Sequence, residues 1–255
     1  GGMAAFGLML ALLYPIVVKE KKINPSGQAY TKEQQPIKVK NALKTLYSSH
    51  TVVATYIGSG LQLFVAGAIM VWMPSYLNRY YAMPTDKAGV VAAIIVLGGA
   101  IGTVICGMLS DRLGRERADR KTSLAIAFCL GSCLLLSAAF AIPTGTAQIA
   151  LLCLGIFIVI GTNGPSMAMV ANLTHHSVHS SAFATLTIAN NLLGIALGPL
   201  VIGKLSDHVG LHDAFQLMPL MSILSAAFFF YAKRHYHNDI TRLTEQGLLP
   251  PSAPQ

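Results

Sequence analysis

Charged side chains are scarce in this sequence, and none of them lies in the middle of its long apolar runs. Only 11% of the 255 residues are Asp, Glu, Lys or Arg, whereas 53% are hydrophobic. A soluble domain carries about 25% charged residues, so this balance indicates an integral membrane protein in a lipid bilayer. The net charge of +8 does not indicate a nucleic-acid partner, because the basic residues lie in short segments beside the apolar runs.

Cysteine is also rare, and all four cysteines fall inside apolar runs, without disulfide or metal-ligand spacing in a polar segment. They are Cys106, Cys129, Cys133 and Cys153. The histidines at 175, 176 and 179 have no Cys or carboxylate beside them, which is typical of a solvated loop. No nucleophile–base pair or metal-ligand set appears inside the runs. We therefore predict no catalytic residue, no metal and no cofactor, and a protein that is not an enzyme.

Seven apolar runs alternate with polar or charged segments. Runs of about 20 apolar residues have the length needed to cross a bilayer as helices. The runs cover residues 3–18, 51–77, 87–109, 122–142, 148–171, 182–203 and 214–232. The fifth of the seven contains Gly161-Thr-Asn-Gly-Pro165, a break that is tolerated in a membrane where a neighbouring helix or a cavity satisfies the freed backbone groups.

The basic residues predict the orientation of the runs. If residues 19–47 are cytoplasmic, alternation also places residues 107–121, 172–181 and the C-terminal tail in the cytoplasm. Of the 18 basic residues, 15 then lie inside and three outside, namely Arg79, Lys87 and Lys204. Short cytoplasmic loops carry such an excess of Lys and Arg. We expect a multi-pass protein of the bacterial inner membrane with a cytoplasmic C-terminus.

The segment 107–121, GMLSDRLGRERADRK, carries the most specific motif of the sequence. Five of its residues resemble the G-x-L-x-D-R-x-G-R signature of the major facilitator superfamily of transporters, which joins the second and third helices of each six-helix half. They are Gly107, Asp111, Arg112, Gly114 and Arg115. The resemblance implies that these residues form a conformational gate, in which a carboxylate lies near a helix N-terminus and basic side chains contact neighbouring carbonyls.

An internal repeat supports that resemblance. Residues 98–114 match residues 194–210 at a shift of 96, with glycine, serine and aspartate at equivalent positions. The alternation of runs puts the two copies, and thus Asp111 and Asp207, on opposite faces of the membrane. Equivalent helices of opposite orientation mark a three-plus-three inverted repeat. The sequence therefore predicts two related triplets of helices.

Together these features predict an all-α membrane protein that resembles the C-terminal half of a major facilitator carrier. Residues 1–18 would end the sixth helix, and 19–47 would form the central cytoplasmic loop, with a short amphipathic segment or merely a solvated linker. Residues 48–234 would form the six-helix transport bundle, and 235–255 a disordered cytoplasmic tail. The N-terminal six-helix half would be the missing partner.

Uncharged polar residues near the middle of the runs are the candidates for a substrate cavity, since an amide in hydrocarbon needs a partner. That partner is either another helix or water and substrate, and the sequence leaves both open. The candidates are Tyr56, Ser59, Gln62, Asn163, Asn190 and Asn191.

We expect a secondary transporter that works by alternating access on a small metabolite or organic anion, with coupling to protons as one option. A coupling carboxylate would then lie in the missing half. The alternatives are a lipid or drug exporter, or a sensor or assembly subunit built on a carrier fold.

Overall fold

The computed structural model describes residues 49–114, 119–174 and 178–245, all within one compact unit of the chain, Lys38–Gln255. The expected helix end at 1–18 and loop at 19–47 lie outside the described residues, as do Arg115, His175 and His176.

The described residues form helices and no strand. Six segments among them are long and apolar enough to cross a membrane, which confirms six of the predicted runs. Span 1 is α1 (His50–Tyr80), span 2 is α2 (Thr85–Gly114) and span 3 is α3 (Asp119–Ala141). Span 4 is α4 (Thr146–Gly161) with α5 (Asn163–Asn172). Span 5 joins α6 (His179–Ala189), a π-helix (Asn190–Ala196) and α7 (Leu197–Val209), and span 6 joins α8 (Leu211–Leu217) and α9 (Leu220–Glu245).

The six spans run alternately between two ends of the bundle. At one end the Gly145 N–H donates to the Tyr81 hydroxyl at 3.1 Å, and the His212 N–H donates to the Tyr80 hydroxyl at 3.1 Å. At the other end the Ser49 hydroxyl donates to Asp239 at 2.8 Å. We call these the Tyr81 end and the Ser49 end. Span 2 carries Asp111 at the Ser49 end, whereas span 5 carries Asp207 at the Tyr81 end, as the repeat predicts.

The packing of the spans against one another also follows the inverted repeat. Span 1 packs most extensively against spans 5 and 6, and span 4 packs most extensively against spans 2 and 3. Spans 3 and 6 pack against each other. Exchanging spans 1 to 3 for spans 4 to 6 therefore reproduces the same set of neighbours.

The glycines of the first repeat copy let span 2 approach span 4 closely. A Cβ atom added at Gly98 would lie 3.7 Å from the Cys153 carbonyl oxygen, and one added at Gly102 would overlap the carbonyl oxygen of Phe157. The two contacts are one helical turn apart on each helix. Glycines at i and i+4 are the small residues that let membrane helices pack backbone to backbone.

The second copy makes the same contacts with span 1. A Cβ atom at Gly194 would lie 2.9 Å from the Gly60 carbonyl oxygen, and one at Gly198 would overlap the carbonyl oxygen of Phe64. The contacted residues are again four apart, as Cys153 and Phe157 are. The repeat found in the sequence is therefore a repeat of packing contacts as well.

The predicted break in span 4 is present between α4 and α5. Pro165 lies in the first turn of α5, where the N–H that it lacks has no helical acceptor in any case. The Thr162 carbonyl accepts from both the backbone N–H of Ser166 at 3.2 Å and its hydroxyl at 2.9 Å. Local groups thus satisfy the backbone at the break.

The last helix is longer than expected. We predicted a disordered tail from residue 235, but α9 continues to Glu245. The continuation is amphipathic, and Tyr236, Asp239 and Leu243 are buried along one face, with Tyr236 and Leu243 packed in a cluster with Val52. The prediction was wrong for residues 235–245 because it relied on their polar composition and did not detect this buried face.

We expect Gly102→Ala to destabilise the bundle, because the added Cβ atom overlaps the backbone of Phe157 in span 4. Overpacking of this kind costs about 1–3 kcal/mol. The measurement is the thermal unfolding midpoint of the full-length protein in detergent.

Gly89→Ala on the same helix is the matched control, since nothing lies within 4 Å of its added Cβ atom. Replacing an exposed helical glycine by alanine stabilises a helix by up to about 1 kcal/mol. Equal midpoints for the two variants would contradict the close approach of spans 2 and 4.

Candidate functional site

Gln62 lies in a polar seam between spans 1, 3 and 6. Its Nε2 donates to the Ser132 hydroxyl at 2.8 Å, and the Ser132 hydroxyl lies 3.5 Å from that of Ser222. The Ser225 hydroxyl donates to the Gly58 carbonyl at 2.6 Å and lies 3.3 Å from the Cys129 thiol. Gln62 is only 1% exposed. Its amide nitrogen therefore bonds to another helix of the bundle.

Tyr56 and Ser59 are also enclosed within the bundle, at 5% and 2% exposure. The Tyr56 hydroxyl donates to the Ala182 carbonyl of span 5 at 3.2 Å. These two candidates and Gln62 therefore lie between helices, and Tyr56 and Gln62 each donate to another span.

The three asparagine candidates are more accessible. Asn163 is half-buried in the first turn of α5, directly after the break in span 4. Asn190 is half-buried and Asn191 is exposed, both at the start of the π-helix in span 5. The six candidates thus divide into three enclosed side chains and three that reach the surface of the bundle.

The gate motif lies mostly in helix, not in a turn. Span 2 continues to Gly114, and its residues Asp111 and Arg112 are exposed near the Ser49 end. Gly107 packs against span 4 beside its break, since a Cβ atom added at Gly164 would lie 3.1 Å from the Gly107 Cα atom. Asp111 and Arg112 are therefore accessible to a partner beyond the described residues.

A buried carboxylate that the sequence analysis missed closes the Ser49 end. Asp239 is 4% exposed, and its Oδ2 accepts from the Ser49 hydroxyl and from the Thr51 N–H, each at 2.8 Å. Because the N-terminus of α1 carries partial positive charge, it stabilises this anion. The Ser49 hydroxyl in turn accepts from the Val52 N–H at 3.3 Å. Asp239 therefore joins the last helix to the first, and we call this contact the Asp239 clasp.

His179 is likewise bonded to the backbone. Its Nε2 lies 3.1 Å from the Ala171 carbonyl and 2.9 Å from that of Thr174, at the C-terminal end of span 4. This contact ties the start of span 5 to the end of span 4.

A second hydrogen-bond network holds the Tyr81 end. The Tyr81 hydroxyl donates to Gln148 Oε1 at 2.6 Å, and Gln148 Nε2 donates to the Tyr76 hydroxyl at 3.2 Å. The Tyr76 hydroxyl lies 3.0 Å from His212 Nδ1. Burial raises the pKa of the Tyr81 phenol, which keeps it protonated as a donor.

An open cavity of about 430 Å³ lies beside this network and is lined by side chains that include Tyr80, Phe140, His212 and Gln216. Its lining contains neither a motif residue nor one of the six candidates. The cavity therefore lies at the Tyr81 end of the bundle, apart from the motif and the six candidates.

The described chain is a multi-pass helical bundle with an internal inverted repeat. The family model of the Major Facilitator Superfamily matches its residues 1–195, and the chain belongs to this superfamily. Relatives named as transporters, such as the Arabidopsis protein described below, point to a carrier and not to an enzyme.

Two relatives and one solved structure illustrate the similarity. A probable sphingolipid transporter of Arabidopsis thaliana, spinster homolog 2, is 25% identical over 203 residues, or 77% of this chain and 42% of that protein. Spinster homolog 1 of Xenopus tropicalis is 27% identical in an alignment of 283 positions that covers 96% of this chain and 52% of that protein. The chain thus spans about half the length of the curated relatives it matches.

The structure resembles that of a bacterial homolog of the human lysosomal transporter spinster in an inward-facing, unoccupied conformation. The TM-score is 0.71 at 17% sequence identity, over 92% of this chain and 58% of the other. At this identity the similarity establishes the fold.

We expect Asp239→Leu to destabilise the bundle, because it leaves the Ser49 hydroxyl and the Thr51 N–H without their acceptor. Hydrogen bonds to charged groups contribute about 1.5–3 kcal/mol. Hydrogen exchange of the first amides of α1, together with the unfolding midpoint of the full-length protein, measures the effect.

Asp239→Asn keeps one carbonyl oxygen as an acceptor and should lower the unfolding midpoint less than Asp239→Leu does. Asn238→Ala, at an exposed neighbouring position, should change the midpoint little. Unaltered exchange at Thr51 and Val52 in Asp239→Leu would mean that the clasp does not stabilise α1.

Proposed function

We propose that this chain forms the C-terminal half of a secondary transporter that moves an amphipathic, lipid-like organic molecule by alternating access. The observation that carries the proposal is the pair of equivalent glycine contacts in the two helix triplets. An inverted repeat of this kind allows two related bundles to rock around a central site and to expose it to each side in turn.

The other half of the carrier would be an N-terminal six-helix bundle. The relatives are about twice as long as the part of them that this chain covers, which leaves room for such a bundle. The gate residues Asp111 and Arg112 would contact a helix of that half at the Ser49 end. Because 15 of the 18 basic residues fall on that side by alternation, we assign it to the cytoplasm of a bacterial inner membrane.

The lipid-like substrate class rests on the charge of the spans. They bring no charged side chain to mid-membrane, whereas intramembrane charges usually mark the pathways of charged substrates and ions. The name of the Arabidopsis relative, a probable sphingolipid transporter, agrees with this class.

An organic-anion substrate, or coupling to protons, would require charged groups from the N-terminal half. A carrier of amphipathic molecules needs fewer of them, since most of the solute surface is apolar. The present half therefore favours the lipid-like class over a sugar acid or another small anion.

Uptake of labelled sphingosine tests the proposal, with the full-length protein reconstituted into liposomes. We expect saturable uptake above that of protein-free liposomes, together with reduced uptake in the presence of excess unlabelled sphingosine. Binding without movement would contradict transport and favour a sensor. Uptake of small organic anions but not of sphingosine would contradict the substrate class alone.

Asp111→Asn should shift the balance between the two conformations of the carrier, since it removes a charge near the neighbouring helix ends. A charge at a helix terminus contributes about 0.3–1 kcal/mol, which corresponds to about a two- to five-fold change in an equilibrium or rate. The measurement is the initial rate of uptake in the same liposomes.

Asp86→Asn is the control, because Asp86 is an exposed carboxylate of the same helix at the opposite end. It should leave the rate unchanged. Equal rates for both variants and the unmodified protein would contradict a role of Asp111 in the conformational gate.

A further inference from the structure

The first helix shows at which level the bundle leaves the hydrocarbon at the Ser49 end. His50 begins α1, and Trp72 lies further along the same helix, at a distance of about 33 Å for a rise of 1.5 Å per residue. Tryptophan is enriched at membrane–water interfaces, and the hydrocarbon core of a bilayer is about 30 Å thick. With Trp72 at one interface, His50 therefore lies at the other.

A contact between α1 and α9 transfers this level to span 6. The rings of His50 and His235 stack with their centroids 5.8 Å apart, so His235 lies at the same interface. The Tyr231 ring lies against that of His235, with 4.2 Å between centroids, and the His235 Nδ1 donates to the Tyr231 carbonyl at 3.0 Å. Because α9 runs toward the Ser49 end, the turn before His235 faces the hydrocarbon and the turn after it faces water.

Arg234 is a cationic side chain at this interface that has no anionic partner among the described residues. It is exposed, and no ion pair with a described acidic side chain involves it. Asp239 is the nearest acidic residue along α9, but it is 4% exposed and already accepts from Ser49 and Thr51. The guanidinium of Arg234 can therefore bind an anion from its surroundings.

An aromatic ring holds this guanidinium at the depth of the lipid headgroups. The Arg234 Cζ atom lies 5.4 Å from the centroid of the Phe230 ring, within the distance of about 6 Å for cation–π attraction. Phe230 is one turn closer to the hydrocarbon than Arg234 and is 53% exposed. The guanidinium thus lies over an exposed apolar ring, and its N–H groups match the oxygens of a phosphate in pairs.

We propose that Arg234 binds the phosphate of an anionic phospholipid in the leaflet at the Ser49 end, with the Phe230 and Tyr231 rings against the acyl chains of that lipid. A free phosphate would use only the guanidinium. The exposed rings one turn deeper, of which Tyr231 is 44% exposed, fit the apolar part of a lipid. Basic side chains beside a membrane helix attract anionic lipids. The inference does not rest on the proposed transport function, because the bound lipid is a component of the membrane.

Binding of single lipids to the full-length protein, measured by native mass spectrometry from detergent, tests the proposal. The probes are dioleoylphosphatidylglycerol, which is anionic, and dioleoylphosphatidylcholine, which has the same acyl chains and no net charge. The unmodified protein should bind the first phosphatidylglycerol more tightly than the first phosphatidylcholine. Arg234→Gln should weaken the binding of phosphatidylglycerol about five-fold, as expected for the loss of one basic residue near a membrane surface. Its affinity for phosphatidylcholine should stay unchanged.

Lys121→Gln is the matched control, because it removes one positive charge at the start of α3, at the same end of the bundle. It should leave the affinity for phosphatidylglycerol nearly unchanged. The unfolding midpoint of Arg234→Gln without added lipid should equal that of the unmodified protein, since the side chain is exposed.

Four results would overturn the proposal. Equal affinity of the unmodified protein for the two lipids, or an undiminished preference in Arg234→Gln, would exclude phosphate recognition by Arg234. An equal loss of affinity in Lys121→Gln would show a general effect of positive charge. Displacement of phosphatidylglycerol by inorganic phosphate at the same concentration would show a site for the free anion. A lower midpoint of Arg234→Gln with an equal loss of affinity for both lipids would show a structural role.

Discussion

The structure depends on the close approach of helix backbones at small residues. Lipid tails are as apolar as leucine, so apolar burial alone does not hold helices together in a membrane, and packing contacts must do so. Gly102 and Gly198 bring spans 2 and 5 against the backbones of spans 4 and 1, at equivalent points of the two triplets. Spans 3 and 6 pack against each other as a further contact between the triplets.

Polar groups complete the bundle at three levels. The Asp239 clasp joins α1 and α9 at the Ser49 end, and the network around Tyr76 and Gln148 joins α1, α4 and α8 at the Tyr81 end. Between them, the seam around Gln62 joins spans 1, 3 and 6. Among the six candidates, the amides that remain accessible belong to Asn163, Asn190 and Asn191. The enclosed candidates lie between spans of the bundle.

The sequence predicted the spans, their alternation and the repeat, because each depends on patterns of apolar residues and glycines that lie close along the chain. It did not predict the helix at 235–245, since the burial of Tyr236 and Asp239 arises from contact with residues near 50, almost 190 positions away. Nor did it separate enclosed from accessible candidates. Gln62 and Asn190 are both uncharged amides in apolar runs, and only the rotation of each helix against its neighbours distinguishes their environments.

The central claim is that two triplets of opposite orientation form this half of a carrier. Its most direct test is the labelling of single cysteines at positions 111 and 207 by a membrane-impermeant maleimide, in full-length protein whose native cysteines have been replaced. In intact cells and in inverted vesicles, the account predicts opposite patterns: Asp111→Cys is labelled only from the cytoplasmic side and Asp207→Cys only from the outer side. Labelling of both positions from the same side would contradict it.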